Sequence, residues 1–159
     1  MPGGARQSGR GTIMFNLFAY GTLQLPEVFC AVTGLDRIGE PATLAGYARY
    51  ALHGLTYPGL IAEPGTATQG LLYCGLDDGA ATCLDHFEDD FYCRASLWVT
   101  TVGGRRHLAE AYVIPFDESA VIDRRPWVLD DFCRQHLHDF LSCCRTSDSR
   151  GGHLSAVRA

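Results

Sequence analysis

The chemically richest stretch of the chain is Leu84-Asp85-His86-Phe87-Glu88-Asp89-Asp90-Phe91-Tyr92-Cys93-Arg94. Most of its carboxylates are expected on a solvated helix face. Glu88 differs, because Phe87 and Phe91 flank it and a strand is expected to follow. A carboxyl at a helix end beside aromatic rings loses water, which disfavours its ionised form and raises its pKa. Such a group is suited to taking and returning a proton near neutrality. The plain alternative is a solvated acidic face with Arg94 as counter-ion.

A second segment, Phe18-Ala19-Tyr20-Gly21-Thr22-Leu23, runs a strongly apolar strand into a glycine. Glycine there permits a positive φ and a close approach of backbone to ligand. Successive N–H groups in such a turn form a concavity that attracts carboxylates or oxyanions. Taken alone, the segment also fits an ordinary strand-ending turn. A third segment pairs Gly46-Tyr47-Ala48-Arg49-Tyr50 with Thr56-Tyr57-Pro58-Gly59-Leu60-Ile61. Its tyrosines line a pocket with hydroxyls or are core aromatics whose hydroxyls reach the surface.

The elements that position these residues are short and mixed. Strands are expected over Phe15–Tyr20, Ala42–Leu52, Leu60–Glu63, Gln69–Gly75, Tyr92–Val102 and Leu108–Ile114, with Gly and Pro between them. Helices are expected over Pro26–Thr33, which Gly34 closes, and over Gly79–Glu88, with Asp77 and Asp78 as caps. Pro126–Cys144 reads as one amphipathic helix with Trp127, Phe132, Leu137, Phe140 and Leu141 inside. Together they predict an α+β fold, a mixed sheet curling towards a barrel. Residues 14–145 form that domain, and the Gly-, Ser- and Arg-rich segments 1–13 and 146–159 read as mobile tails.

Composition narrows the function classes. With 159 residues, 47% of them apolar, the chain makes one domain and buries a core without staples. No apolar run approaches the roughly 18 residues of a membrane span, and the first residues lack a signal-peptide core. The seven cysteines are odd in number and without CxxC spacing, so free thiols in a cytoplasmic protein are expected. Cys30, Cys74, Cys83 and Cys93 have apolar or aromatic neighbours and read as small hydrophobes. Between residues 14 and 145, nine Arg face seventeen Asp and Glu, which argues against a nucleic-acid partner. Lysine is absent altogether, which removes Schiff-base chemistry and the P-loop. The pairs Cys83/His86 and the cluster Cys133/His136/His138 have no usual zinc spacing, so neither metal nor cofactor is expected.

In combination, the segments YGTL, GYxRY, YPGL, GLLYxGL, LDxFEDxFYxR and AYVI resemble the AIG2-like branch of the γ-glutamylcyclotransferase superfamily over roughly residues 14–141. The resemblance implies a small, largely antiparallel barrel with a cavity at one end. It implies that Tyr20, Gly21, Thr22 and Leu23 form a substrate-binding loop, that Glu88 is the catalytic acid/base, and that Tyr92 and Tyr112 lie near the cavity. The implied reaction cyclises a small γ-glutamyl amine, peptide or amide to 5-oxoproline. A non-catalytic small-molecule binding module on the same fold is the alternative. Oligomeric state is not legible in the sequence.

Overall fold

Phe15–Ala19 forms a strand, β1, because its apolar residues serve two cores at once: Leu17 and Ala19 face the helices while Phe18 points into a barrel. The computed structural model describes residues 13–147. The expected tails fall outside these residues, except Ile13 and the end of the last helix, which reaches Ser147.

Five strands close on one another. β1 lies between β3 (Pro58–Leu76), antiparallel with Leu17 opposite Tyr73, and β5 (Arg106–Val113), parallel with Leu17 opposite Glu110. β5 pairs antiparallel with β4 (Cys93–Thr101), β4 with β2 (Glu40–Leu52), and β2 with β3, which completes the circuit. A sixth strand, β6 (Ile122–Pro126), adds to the edge of β2 outside the barrel. The expected mixed, largely antiparallel barrel is therefore present. Its interior holds Phe18, Tyr20, Leu44, Leu60, Leu72 and Val99, with Ala109 and Ala111 opposite them. Small residues opposite large ones let so narrow a barrel fill without voids.

Several expectations need correcting. The break foreseen at Pro64-Gly65 is a bulge inside one long strand. Between the pairs Ala45/Ala67 and Tyr47/Ala62, Gly46 alone opposes residues 63–66. Proline has no N–H for a ladder, and Gly46 and Gly65 take φ of 82° and 85°, values that glycine tolerates. β6 was not foreseen, because Ile-Asp-Arg-Arg-Pro has no apolar alternation; as an edge strand it needs none. Cys30, Cys74, Cys83 and Cys93 are exposed rather than packed inside, and only Cys144 is buried.

Four helices cover the barrel's outer core. α1 (Pro26–Thr33) ends at Gly34, and α2 (Asp78–Phe87) starts at Asp77, whose Oδ1 accepts from the Ala80 N–H at 2.9 Å. The single closing helix is instead two, α3 (Leu129–Gln135) and α4 (Leu137–Ser147), with His136 between them at φ −132°. On one straight helix Phe132 and Phe140, eight residues apart, would point about 80° from each other. The break brings both rings into the same cluster, 5.3 Å apart and edge-on.

Candidate active site

After Ala19 the chain leaves the sheet and makes one 3₁₀ turn over Thr22–Gln24, with the Gln24 N–H bonded to Gly21 O and the Leu25 N–H to Thr22 O, both 3.1 Å. A turn of this kind spends its first N–H groups on nothing internal. Those of Gly21, Thr22 and Leu23 have no acceptor among the described residues. Gly21 has φ −122°, so the expected positive φ is not what requires a glycine. Space requires it: a Cβ there would lie 2.9 Å from Pro58 Cγ. Three long-range bonds fix the turn. Tyr20 Oη donates to Tyr112 O at 2.5 Å, Tyr73 Oη to Leu23 O at 2.9 Å, and Arg49 Nη1 to Tyr20 O at 2.9 Å.

Facing this turn is the C-terminal end of α2. Phe87 is its last residue, and Glu88 follows with extended backbone, φ −80° and ψ 143°. Its N–H still bonds Leu84 O at 3.1 Å, so the side chain is presented from a rigid helix end. An open-mouthed cavity lies between turn and helix. Tyr20, Gly21, Thr22, Leu23, Glu88, Tyr92 and Tyr112, the site residues expected from the sequence, all line it. Phe87 and Phe140 supply apolar wall.

Burial, then the charges of Asp89 and Asp85, pushes the Glu88 carboxyl up to about 8. The residue keeps a partial opening to solvent, so the shift reflects the protein packed around it rather than complete sealing. No hydrogen bond among the described residues reaches its carboxyl, and no cation lines the cavity beside it. Tyr20 and Tyr92 are pushed well above the ordinary phenol value, first by burial and also by the charge of Glu88. Tyr112 is raised too, by burial and by its bond to Asp85. These phenols therefore remain protonated donors at any working pH.

The neighbouring carboxylates are held differently. Asp85 turns outward, where it accepts from Tyr112 Oη at 2.7 Å and pairs with Arg94 at 3.3 Å, so Arg94 serves the acidic face as the plain reading expected. Asp89 lines the cavity and accepts from Tyr57 Oη. Tyr92 Oη donates to Pro58 O at 2.6 Å. Tyr57 and Pro58 belong to the third segment read in the sequence, but only the fold assigns them to the site, and Asp89, expected with the solvated carboxylates, lines the cavity instead. The signal was the Tyr-Pro-Gly run, whose role needs the fold to be seen. Tyr47 and Tyr50 of the same segment do not line the cavity; Tyr50 bonds Glu63 instead. Among the described residues, no three His, Cys, Asp or Glu side chains gather as metal ligands.

The arrangement sets main-chain donors without acceptors opposite a carboxyl that holds its proton near neutrality. It can hold an anionic group and move one proton. A family model described as gamma-glutamyl cyclotransferase, AIG2-like, matches residues 17–129. AIG2-like protein C of Arabidopsis thaliana is 33% identical over 106 residues, which cover 65% of this chain and 60% of that protein. Protein AIG2 C of the same plant is 32% identical over 101 residues, 62% of this chain and again 60% of the relative. The chain thus aligns with well under two thirds of either relative's length. Among solved structures, an Arabidopsis thaliana protein determined in solution superposes with a TM-score of 0.65 at 24% identity, over 86% of this chain and 83% of that one. One called gamma-glutamyl cyclotransferase gives 0.57 at 18% identity, over 65% and 68%. These two likenesses speak for the fold alone.

Proposed function

Because the chain belongs to the AIG2-like γ-glutamyl cyclotransferase family, we propose that it releases 5-oxoproline from a small γ-glutamyl amine, peptide or amide. The α-amine nitrogen of the substrate attacks its own γ-carbonyl carbon. The bond from that carbon to the leaving nitrogen breaks, and a five-membered lactam forms. Nucleophile and electrophile belong to one molecule, so the protein must curl the substrate, stabilise the oxyanion and carry one proton. The acceptorless amides of Gly21, Thr22 and Leu23 are suited to the glutamyl group's negative charge. Glu88 takes the proton from the attacking amine and gives it to the leaving one. Tyr20, Tyr92 and Tyr112 shape the wall around it, and the substrate is the one small-molecule partner the reading requires. The odd number of cysteines and the lack of CxxC spacing favour a reducing, cytoplasmic setting.

The observation that carries this reading is the proton affinity of Glu88. A peptide α-amine has a pKa near 8 and an ordinary glutamate one near 4.3, a mismatch of about 5 kcal/mol for direct transfer. With Glu88 at about 8 the mismatch nearly vanishes, and one group can serve as base and then as acid. The test is to incubate the protein and its Glu88→Gln variant with a panel of γ-glutamyl donors and measure 5-oxoproline by chromatography. Product from wild type and almost none from the variant is expected. Binding of the donors without product would instead favour the non-catalytic module.

A further inference from the structure

The cavity presents Glu88 and Asp89, and no arginine, lysine or histidine lines it among the described residues. A γ-glutamyl compound carries a free α-carboxylate, which acidic walls repel unless positive charge stands near. Such a charge stands one layer back. Arg49, from the middle of β2, reaches across β3 and donates from Nη1 to Tyr20 O at 2.9 Å and to Gln69 O at 3.1 Å. Its guanidinium lies 5.8 Å from the centre of the Trp127 ring. No carboxylate pairs with it among the described residues.

That combination calls for a reason. Burial pulls the Arg49 pKa down, so the protein keeps this charge against a desolvation cost. Tying two carbonyls together needs donors, which a neutral amide side chain also supplies. The charge itself must therefore act on something. The Tyr20 carbonyl that accepts from Arg49 shares one peptide unit with the Gly21 N–H, which lies on the cavity wall. A cation drawing on that carbonyl polarises the peptide and makes its N–H a stronger donor, in line with Thr22 and Leu23 beyond it.

We propose that Arg49 is a positioning and specificity-determining residue: acting through the Tyr20–Gly21 peptide, it turns the amides of this turn into a carboxylate site and selects compounds whose α-carboxylate is free. The inference rests on the γ-glutamyl reading above. A calorimetric titration tests it in the Glu88→Gln background, where the ligand is not consumed, with γ-glutamylethylamide and with the same compound as its α-carboxamide. The parent is expected to prefer the carboxylate by about tenfold or more. In Arg49→Gln the preference falls to within about twofold of unity, and Arg49→Lys, which keeps the charge, retains most of it. A merely structural role would weaken both ligands equally and leave their ratio alone, and that outcome overturns the proposal. So does a parent that shows no preference, which decides the matter even if Arg49→Gln and Arg49→Lys fail to fold. If the parent binds neither compound, the γ-glutamyl reading itself is lost, a result distinct from an unchanged ratio.

Discussion

Two places in this molecule set tyrosine hydroxyls beside a glutamate, and they differ in what the glutamate is given. On β3, Glu63 receives the Tyr50 hydroxyl on both carboxyl oxygens at 2.9 Å, and Arg124 stands 3.4 Å away. That charge is neutralised at the surface, where it can do little more than decorate the fold. At the end of α2, the Glu88 carboxyl receives neither a hydrogen bond nor a cation among the described residues, although the phenols of Tyr20, Tyr92 and Tyr112 feel its charge. Their own donors go to the backbone and to Asp85 instead. The same residue types give a solvated ion pair in one place and a carboxyl with raised proton affinity in the other. What decides is where the donors are spent.

Substituting each glutamate sharpens that contrast most. Glu88→Gln is expected to lower kcat for 5-oxoproline release by about 10²–10⁴-fold, the usual worth of a positioned acid/base. Glu63→Gln should leave the rate within about twofold of wild type. A Glu88→Gln enzyme that kept more than a tenth of the activity would remove the distinction. The pH profile adds a second test. In the proposed reaction the productive complex holds one proton between Glu88 and the substrate amine, both near 8. kcat/KM should therefore trace a bell with its maximum near pH 8, falling about tenfold per unit on the far limbs. A flat profile from pH 5 to 8 would mean an ordinary glutamate.

Stability follows from the same shift. Glu88 binds its proton more tightly folded than unfolded, so between its unfolded value near 4.5 and its folded value near 8 the unfolded chain is ionised while the native one is not. Unfolding then releases a proton, and stability declines as pH rises through that window. Glu88→Gln carries no such cost. The variant should match wild type at pH 4 and exceed it by a few kcal/mol at pH 9, read from denaturant melts. Smaller effects distinguish the two hydroxyl sets: Tyr92→Phe, which leaves Pro58 O without its donor, should cost about 1–2 kcal/mol. Tyr50→Phe, beside the Glu63–Arg124 pair, should stay within about 0.5 kcal/mol.

Much of this was legible in the chain, for a physical reason. Phe18, Tyr20 and Gly21 announce a buried strand running into a turn, and the Phe87-Glu88 junction sets one carboxyl among rings. Both are local statements, and local patterns survive folding. What was not legible depends on distance in the sequence. Tyr57 reaches Asp89 across 32 residues and Arg49 reaches the Tyr20 carbonyl across 29. The edge strand β6 has no apolar period to betray it. Gly21 was read as a conformational need, yet it answers to Pro58, a neighbour that only the closed barrel brings near. The split of the last helix at His136 is likewise dictated by where Phe132 and Phe140 must meet.

The account stands on the proton that Glu88 keeps. A carbon-13 titration of its side-chain carboxyl, assigned by comparison with Glu88→Gln, measures that affinity without any assumption about substrate. A midpoint near pH 8 is the expected result. A Glu88 midpoint near 4.5 would show a solvated surface acid and contradict the proposed chemistry.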